Sequence, residues 1–357
     1  PSSPPPKLRA VAYGLTDRGM QREHNEDSFS VLNEYGLFVV ADGMGGHLAG
    51  DVASRIATDT IAEFFRSTAN EDVTWPFHFD TNLTEEENRL LTGIRVANRQ
   101  ILDRSEKSRE CYGMGTTVVG AMFSPSKNKV FIGHVGDSRC YRIRQGQIKL
   151  LTRDHSLVND YITAIPNLTE EQKADLPKNV ITRALGMQKD VVVDLQSDDP
   201  QPDDIYVLCS DGLNGMLRDE EILEIVTTHG LDLSARARKL IDVANANGGE
   251  DNITVVLIHI EALPPLAETI PAPRVSAPTF SEEDTLPGEL LALTPANSHP
   301  HLSEPPLAST PPTPPSTNPP PSEVYEATIP SLAGGPFQDE DTLLTGQVPP
   351  SKNGLLR

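Results

Sequence analysis

Short apolar runs rich in Val, Ile, Leu and Phe constrain this chain most, because the clearest of them are only five to eight residues long. That length and the share of branched side chains favour β-strands over helices. The clearest runs cover residues 37–41, 130–135, 205–209 and 253–260, with further candidates at 10–15, 117–123 and 141–143. The sequence therefore predicts a fold built on many short strands.

Helical periodicity divides these strands into groups. Apolar side chains recur at helical spacing over 51–67, and a second helix is predicted after Thr84, where Glu87 completes a capping box. Two later helices are predicted at 220–228 and 234–246. The order of strands, two helices, strands, two helices and strand predicts an α+β fold with the sheets in the middle layers.

Composition divides the chain near residue 262. Of its 31 prolines, 10 precede this position and 21 follow it. Residues 262–357 are also poor in aromatic side chains, so we expect a disordered tail rich in Pro, Ser and Thr. The predicted organisation is an N-terminal extension over 1–8, one folded domain over 9–261 and this tail. The strand pattern breaks inside the domain, and we interpret about 155–180 as a flap.

The charge of the chain limits its partners. A formal net charge of -21 disfavours nucleic acid and anionic membranes. The three cysteines have no spacing typical of a disulfide framework or a zinc site. No apolar stretch is long enough to cross a bilayer, and residues 1–8 lack a hydrophobic signal region. We therefore expect a cytoplasmic protein without nucleic-acid or membrane partners.

Four aspartates lie at the ends of predicted strands: Asp42, Asp137, Asp211 and Asp251. Each of them alone is more often a turn residue than a ligand. The glycine-rich sequence that begins at Gly43 exceeds the need of a tight turn and exposes backbone carbonyls. Carboxylates and a carbonyl are the hard oxygen ligands that Mg²⁺ or Mn²⁺ prefers.

A possible phosphate ligand lies near the N-terminus. Arg22 precedes the acidic pair Glu26 and Asp27, and its guanidinium offers a planar fork of donors for phosphate oxygens. The alternative is a surface salt bridge within one loop, which for such residues taken alone is the more frequent outcome.

These residues belong to an ordered series of motifs that resembles the metal-dependent (type 2C) protein serine/threonine phosphatase family, in its bacterial branch. The series runs in the family's order across roughly residues 9 to 260. Its members are residues 17–19, 22, 25–27, 41–47, 113–117, 133–139, 154–157, 182–186, 210–212 and 249–252. The resemblance implies a β-sandwich of two antiparallel sheets flanked by pairs of α-helices, a four-layer αββα fold.

The resemblance also implies a dinuclear centre of two Mn²⁺ or Mg²⁺ ions. Asp42 would bridge the two ions and the Gly43 carbonyl would bind the second. Asp211 and Asp251 would complete the first. Asp137, with Asp211, matches the position at which bacterial members hold a third, weaker cation.

Further roles follow from the same resemblance. Arg22 would grip the substrate phosphate, and Glu26 and Asp27 would hold waters around the cations. The eukaryotic branch has a histidine at the position of Met44, where it is thought to protonate the leaving group. Methionine cannot donate a proton, so His47, three residues further on, or a metal-bound water would serve as the general acid; the alternative for His47 is a structural histidine in a turn.

The implied activity is hydrolysis of phosphoserine and phosphothreonine in proteins by a hydroxide that bridges the two cations. In a bacterium this enzyme would oppose serine/threonine kinases. The alternatives are a small-molecule phosphomonoesterase and a catalytically silent signalling scaffold. The tail has recurring threonine-containing fragments; chance composition is the favoured explanation, and recruitment of a cognate kinase or a phosphothreonine-reading partner is the alternative.

Overall fold

The structure is a computed structural model that describes residues 6–45, 49–69, 79–165 and 180–264, together with residues 169, 172 and 176. The tail expected over 262–357 lies outside the described residues except for its first three positions, so its disorder stays a prediction. The boundaries of the folded domain likewise stay a prediction.

Eleven strands are described, all paired antiparallel. In chain order they are β1 (Leu8–Asp17), β2 (Asp27–Leu32), β3 (Leu37–Met44), β4 (Gly115–Thr116), β5 (Val118–Ser124), β6 (Lys129–Val135), β7 (Arg139–Arg144), β8 (Gln147–Leu150), β9 (Asp194–Asp198), β10 (Ile205–Cys209) and β11 (Ile253–Ala262). One sheet has the order β1-β11-β10-β7-β8. The other has the order β2-β3-β5-β6-β9, and β4 pairs with β3.

Helices lie between and after the strands. The described α-helices are α1 (Ala49–Ser67), α2 (Glu85–Lys107), α3 (Leu157–Ala164), α4 (Asp211–Asn214), α5 (Asp219–Val226) and α6 (Leu233–Ala246). Two short 3-10 turns cover Asn33–Tyr35 and Arg109–Cys111. The predicted capping box at Thr84 is present, because the Thr84 hydroxyl accepts the Glu87 amide and the Glu87 carboxylate accepts the Thr84 amide.

Alternate side chains of one strand show the layers directly. In β3, Leu37 and Val39 belong to the core shared with α1 and α2, whereas Phe38 and Val40 belong to the core between the two sheets. A third core joins β10 and β11 to α5 and α6. Because both faces of these strands are buried, their sequences are continuous apolar runs. The prediction of a four-layer αββα fold is confirmed.

Candidate metal centre

Asp42 lies at the carboxyl end of β3, held by its own backbone. The Thr117 amide and the Thr116 hydroxyl both donate to the Asp42 carbonyl, each at 2.8 Å. The Asp42 amide donates in turn to Thr117 Oγ1 at 3.1 Å. Asp27 is the direct cross-strand neighbour of Asp42 on β2. The register of this sheet therefore places two carboxylates side by side.

The other sheet brings Asp211 and Asp251 to the same place. Asp211 opens α4 just after β10, and Asp251 lies just before β11, the strand that pairs with β10. A Cβ atom at Gly212 would lie 2.1 Å from the Asn252 carbonyl oxygen, so only glycine permits this approach. Ser210 bridges the sheets, because its Oγ donates to Asp27 Oδ2 at 2.7 Å.

Electrostatics show that five aspartates converge here. Burial raises the pKa of Asp42 well above its ordinary value, and the charges of Asp27, Asp211, Asp251 and Asp137 raise it further. Burial first, and neighbouring aspartates second, raises the pKa of Asp27 to about 8 and that of Asp137 to about 7. Such crowding of acidic groups is unfavourable without a compensating cation.

Unpaired oxygen atoms test whether this donor set fits a metal ion. Among the described residues, Asp27 Oδ1, Asp137 Oδ1 and Asp211 Oδ1 are buried and lack a hydrogen-bond partner. Buried carboxylate oxygens without a donor are costly, and divalent cations with a preference for oxygen ligands would satisfy them. The residues present therefore fit Mg²⁺ or Mn²⁺.

Gly43, Gly50 and Glu26 pack together beside Asp42. The Gly43 amide donates to the Glu26 carbonyl at 3.1 Å, and a Cβ atom at Gly43 would lie 2.0 Å from the Gly50 carbonyl oxygen. Burial raises the pKa of Glu26, and a hydrogen bond from the Gly50 backbone opposes this rise. The start of α1 is thus packed tightly against the chain at Gly43.

Arg22 contacts the cluster through Asp251. Its Nη2 lies 2.6 Å from Asp251 Oδ2, and its side chain is 48% exposed. The guanidinium therefore adjoins the predicted metal ligands while remaining open to a ligand from solvent. His47, the predicted general acid, lies outside the described residues. All other predicted site residues are brought together at one end of the sandwich.

Sequence reasoning assigned no role to a second cluster, formed by His134, His155 and Asp194. Each of the three side chains has one atom that could bind a metal, and these three atoms lie within 4.8 Å of one another. His134 and His155 occur in motifs that carried the family resemblance. Asp194 lies in a polar strand that no periodicity singled out. Only tertiary contacts could have revealed this cluster.

The raised pKa values predict how stability depends on pH without metal. Asp27 and Asp137 titrate at 3.8 when unfolded but at about 8 and about 7 when folded. Between these values the folded protein binds more protons, so its stability falls as pH rises. In EDTA, the melting temperature should be several degrees lower at about pH 9 than at about pH 5, since about 1 kcal/mol corresponds to about 2–4 °C. Thermal unfolding checks this, and Asp137→Asn should flatten the profile; a melting temperature that rises with pH would contradict it.

Comparisons with known proteins identify the family to which this cluster of aspartates belongs. The family model described as "Protein phosphatase 2C" matches residues 18–254. Serine/threonine phosphatase stp of Listeria welshimeri is 38% identical over 253 residues, covering 68% of this chain and 93% of that protein. The structure of the Mycobacterium tuberculosis serine/threonine phosphatase PstP/Ppp is 33% identical with a TM-score of 0.60, covering 71% of this chain and 99% of that one.

A metal-dependent phosphatase is the class that the fold and the aspartate cluster define. The chain belongs to the protein phosphatase 2C family. It is a protein serine/threonine phosphatase, and the prediction of this enzyme class is confirmed. Members of the family use divalent metal ions; a structure of the PstP catalytic domain, 31% identical with a TM-score of 0.60 and covering 71% of this chain and 99% of that one, holds two manganese ions.

Within the part of the chain that the structure describes, none of the helices combines the length and hydropathy needed to cross a bilayer.

Proposed function

We propose that this chain hydrolyses phosphoserine and phosphothreonine in proteins at a centre of two Mn²⁺ or Mg²⁺ ions. The observation that carries the proposal is the convergence of five aspartates from two sheets, three of which keep a buried oxygen without a partner. Asp42 would bridge the ions, the Gly43 carbonyl would bind the second, and Asp211 and Asp251 would complete the first. When bound, the ions would activate a water as nucleophile and offset the charge of the phosphate.

The residues around this centre divide the remaining tasks. Asp137, together with Asp211, would form a third, weaker cation site, since Asp211 is the first charge that raises the pKa of Asp137. Glu26 and Asp27 would orient waters around the ions. Arg22 would break its ion pair with Asp251 and bind the phosphate of the substrate.

Substrate identity follows from the class of relatives. The similar proteins named as serine/threonine phosphatases are bacterial. We therefore propose that the substrates are proteins phosphorylated by bacterial serine/threonine kinases. Recruitment of a cognate kinase or a phosphothreonine-reading partner through the tail remains a prediction.

Phosphate release from a phosphothreonine peptide tests the proposal, first with Mn²⁺ and then with EDTA. Release only in the presence of Mn²⁺ is expected. A folded protein that releases no phosphate under either condition would overturn the proposal and favour the silent scaffold. A sugar phosphate tested in parallel separates the other alternative, because faster hydrolysis of the sugar phosphate would favour a small-molecule phosphomonoesterase.

Arg22→Ala should raise KM for the phosphopeptide about 10- to 100-fold, because a hydrogen bond between charged groups contributes roughly 1.5–3 kcal/mol. Steady-state kinetics with a phosphothreonine peptide measure this effect. Arg22→Lys keeps the charge but loses the planar fork, so it should recover only part of the loss. Arg18→Ala is the matched control, since Arg18 is an exposed arginine of the same loop whose side chain donates a hydrogen bond to the Glu23 carbonyl. An unchanged KM for Arg22→Ala would refute this role.

A further inference from the structure

Two buried imidazole rings stack beside the predicted third cation site. The ring centroids of His134 and His155 are 4.7 Å apart with planes inclined by 13°. The residues are 3% and 5% exposed. His134 belongs to β6, and His155 lies just before α3. The hydrogen bonds given for the two rings join them to Arg153, Gly136, Arg183 and Asp194.

His155 makes two hydrogen bonds to a single residue, Gly136. The Gly136 amide donates to His155 Nδ1 at 3.1 Å, and the His155 amide donates to the Gly136 carbonyl at 2.9 Å. Gly136 has a φ of 107°, and a Cβ atom there would lie 2.6 Å from the Thr117 side chain. The next residue is Asp137. The turn that carries this aspartate is therefore held by His155 on one side and packed against Thr117 on the other.

The other nitrogen of His155 identifies its tautomer. Because Nδ1 accepts a hydrogen bond, the proton of the neutral ring lies on Nε2. Nε2 is 3.2 Å from Asp194 Oδ2, so it donates to this carboxylate. Arg183 Nη1 donates to Asp194 Oδ1 at 2.9 Å and holds the carboxylate in place. Burial lowers the pKa of His155, which keeps its ring neutral and able to accept from Gly136.

The same residue, at the start of the predicted flap, also contacts the segment that follows the flap. The Thr182 amide donates to the His155 carbonyl at 2.8 Å, and Ser156 forms an antiparallel bridge with Ile181. Residue 155 therefore connects three segments: the turn before Asp137, the chain that leaves the flap, and β9 through Asp194.

A metal ion between His134, His155 and Asp194 is the competing explanation. Stacked rings direct their nitrogen lone pairs along nearly parallel lines, which suits a shared ion poorly. His134 Nε2 is already hydrogen-bonded to the Arg153 carbonyl at 2.8 Å, and the positive charge of Arg183, 3.3 Å from His155 Nε2, would repel a metal ion. Within the described part of the chain, His134 Nδ1 is buried without a hydrogen-bond partner, but the parallel lone pairs and the neighbouring Arg183 cation disfavour a metal ion at this cluster.

We propose that His155 is a positioning residue for Asp137, with Asp194 holding the tautomer in which Nδ1 accepts from the Gly136 amide. The inference rests on the proposed function, in which Asp137 binds the third, weaker cation. Residues that orient a metal ligand in this way typically affect metal affinity about 10- to 100-fold when replaced.

Two substitutions separate positioning from packing. In His155→Asn, the amide oxygen can occupy the place of Nδ1 and accept from Gly136. In His155→Gln, the longer amide can reach Asp194 but leaves the Gly136 amide without its acceptor. Both variants lose the stacked ring, so a purely structural role predicts equal defects. Circular dichroism and thermal unfolding establish that each variant is folded.

Calorimetric titration with Mn²⁺ alone supplies a readout apart from activity. His155→Gln should weaken the weakest Mn²⁺ binding event about 10- to 100-fold, whereas His155→Asn should weaken it less than about threefold. Asp137→Asn should remove this event, and adding His155→Gln to Asp137→Asn should change nothing further. Equal effects of the two His155 variants, or full affinity in His155→Gln, would overturn the inference and leave the proposed function intact.

Two further outcomes complete the test. If Asp137→Asn leaves the weakest event in place, both this inference and the role of Asp137 fail, while those of Asp42, Asp211 and Asp251 stand. Nitrogen-15 NMR of histidine-labelled protein, with the His155 signal identified by its loss in His155→Asn, reports the tautomer directly. A proton on Nε2 is expected, and a proton on Nδ1 would overturn the inference.

Discussion

Asp42→Asn should lower kcat/KM for a phosphothreonine peptide by about 10³-fold or more. The substitution keeps the shape of the side chain but removes the carboxylate that is proposed to bind both cations. A divalent ion contributes several kcal/mol to the stabilisation of charge on a transferring phosphoryl group, and each 1.36 kcal/mol is a factor of ten in rate. Phosphate release at saturating Mn²⁺ measures the loss. Turnover above about a tenth of the wild-type rate would refute the site assignment.

The same substitution should make the metal-free protein more stable. Asp42 is surrounded by four other aspartates, and its pKa in the folded protein is raised well above its ordinary value of 3.8. The stability that comes from this raised pKa of Asp42 is therefore fully present below pH 3.8 and is lost as the pH rises towards the pKa of the folded protein. Asparagine does not titrate, so the gain should be absent near pH 4 and largest above neutral pH.

Thermal unfolding in EDTA checks this second effect. A gain on the order of 1 kcal/mol would raise the melting temperature by about 2–4 °C for a domain of this size. Asp199→Asn is the matched control, because the side chain of Asp199 is 83% exposed and pairs with Lys129 at the surface. A destabilised Asp42→Asn protein would show that the aspartate cluster is not under electrostatic strain in the absence of metal. Opposite changes in activity and stability are expected of a site whose negative charges repel one another until a cation binds.

The sequence pattern that best predicts the candidate metal ligands is an aspartate at the end of a buried strand. Asp42 and Asp211 follow runs that are buried on both faces, and such runs can be recognised without knowledge of the fold. The structure shows why this signal worked: the strand ends from both sheets meet at one end of the sandwich. Their roles as ligands remain proposals, but their proximity is a property of the fold.

Polar strands explain what sequence reasoning missed. In β9, which reads Asp-Leu-Gln-Ser-Asp, apolar alternation is absent because the strand pairs on one side only, at the edge of its sheet. It pairs with β6 through its backbone, and ion pairs such as that of Arg142 with Asp198 at 2.7 Å also hold it. These partners are 56 residues apart in the chain, so no local pattern reveals them. Local sequence patterns likewise do not reveal β8 or the contacts of His155.

A second large effect is expected far from the aspartate cluster, at the opposite end of β10. Asp204 is 1% exposed and accepts two hydrogen bonds from Arg144, from Nε at 2.8 Å and from Nη2 at 2.6 Å. It also accepts the Gln201 amide at 2.7 Å. Asp204→Ala would remove all three bonds at once. The nearest remaining carboxylate to Arg144 would be that of Asp198, at 3.9 Å.

Asp204→Ala should lower the free energy of unfolding by about 3 kcal/mol, because it removes three hydrogen bonds, two of them between charged groups, and a hydrogen bond to a charged group contributes roughly 1.5–3 kcal/mol. Chemical denaturation measures this loss. Asp199→Ala should cost less than about 1 kcal/mol, since its pair with Lys129 is exposed. Equal losses in the two variants would contradict the prediction. Below its melting temperature, Asp204→Ala should keep its kcat, because Asp204 precedes β10 and the aspartate cluster lies beyond its other end. The buried ion pair would then support the fold alone, and the aspartate cluster would support catalysis at the expense of the fold.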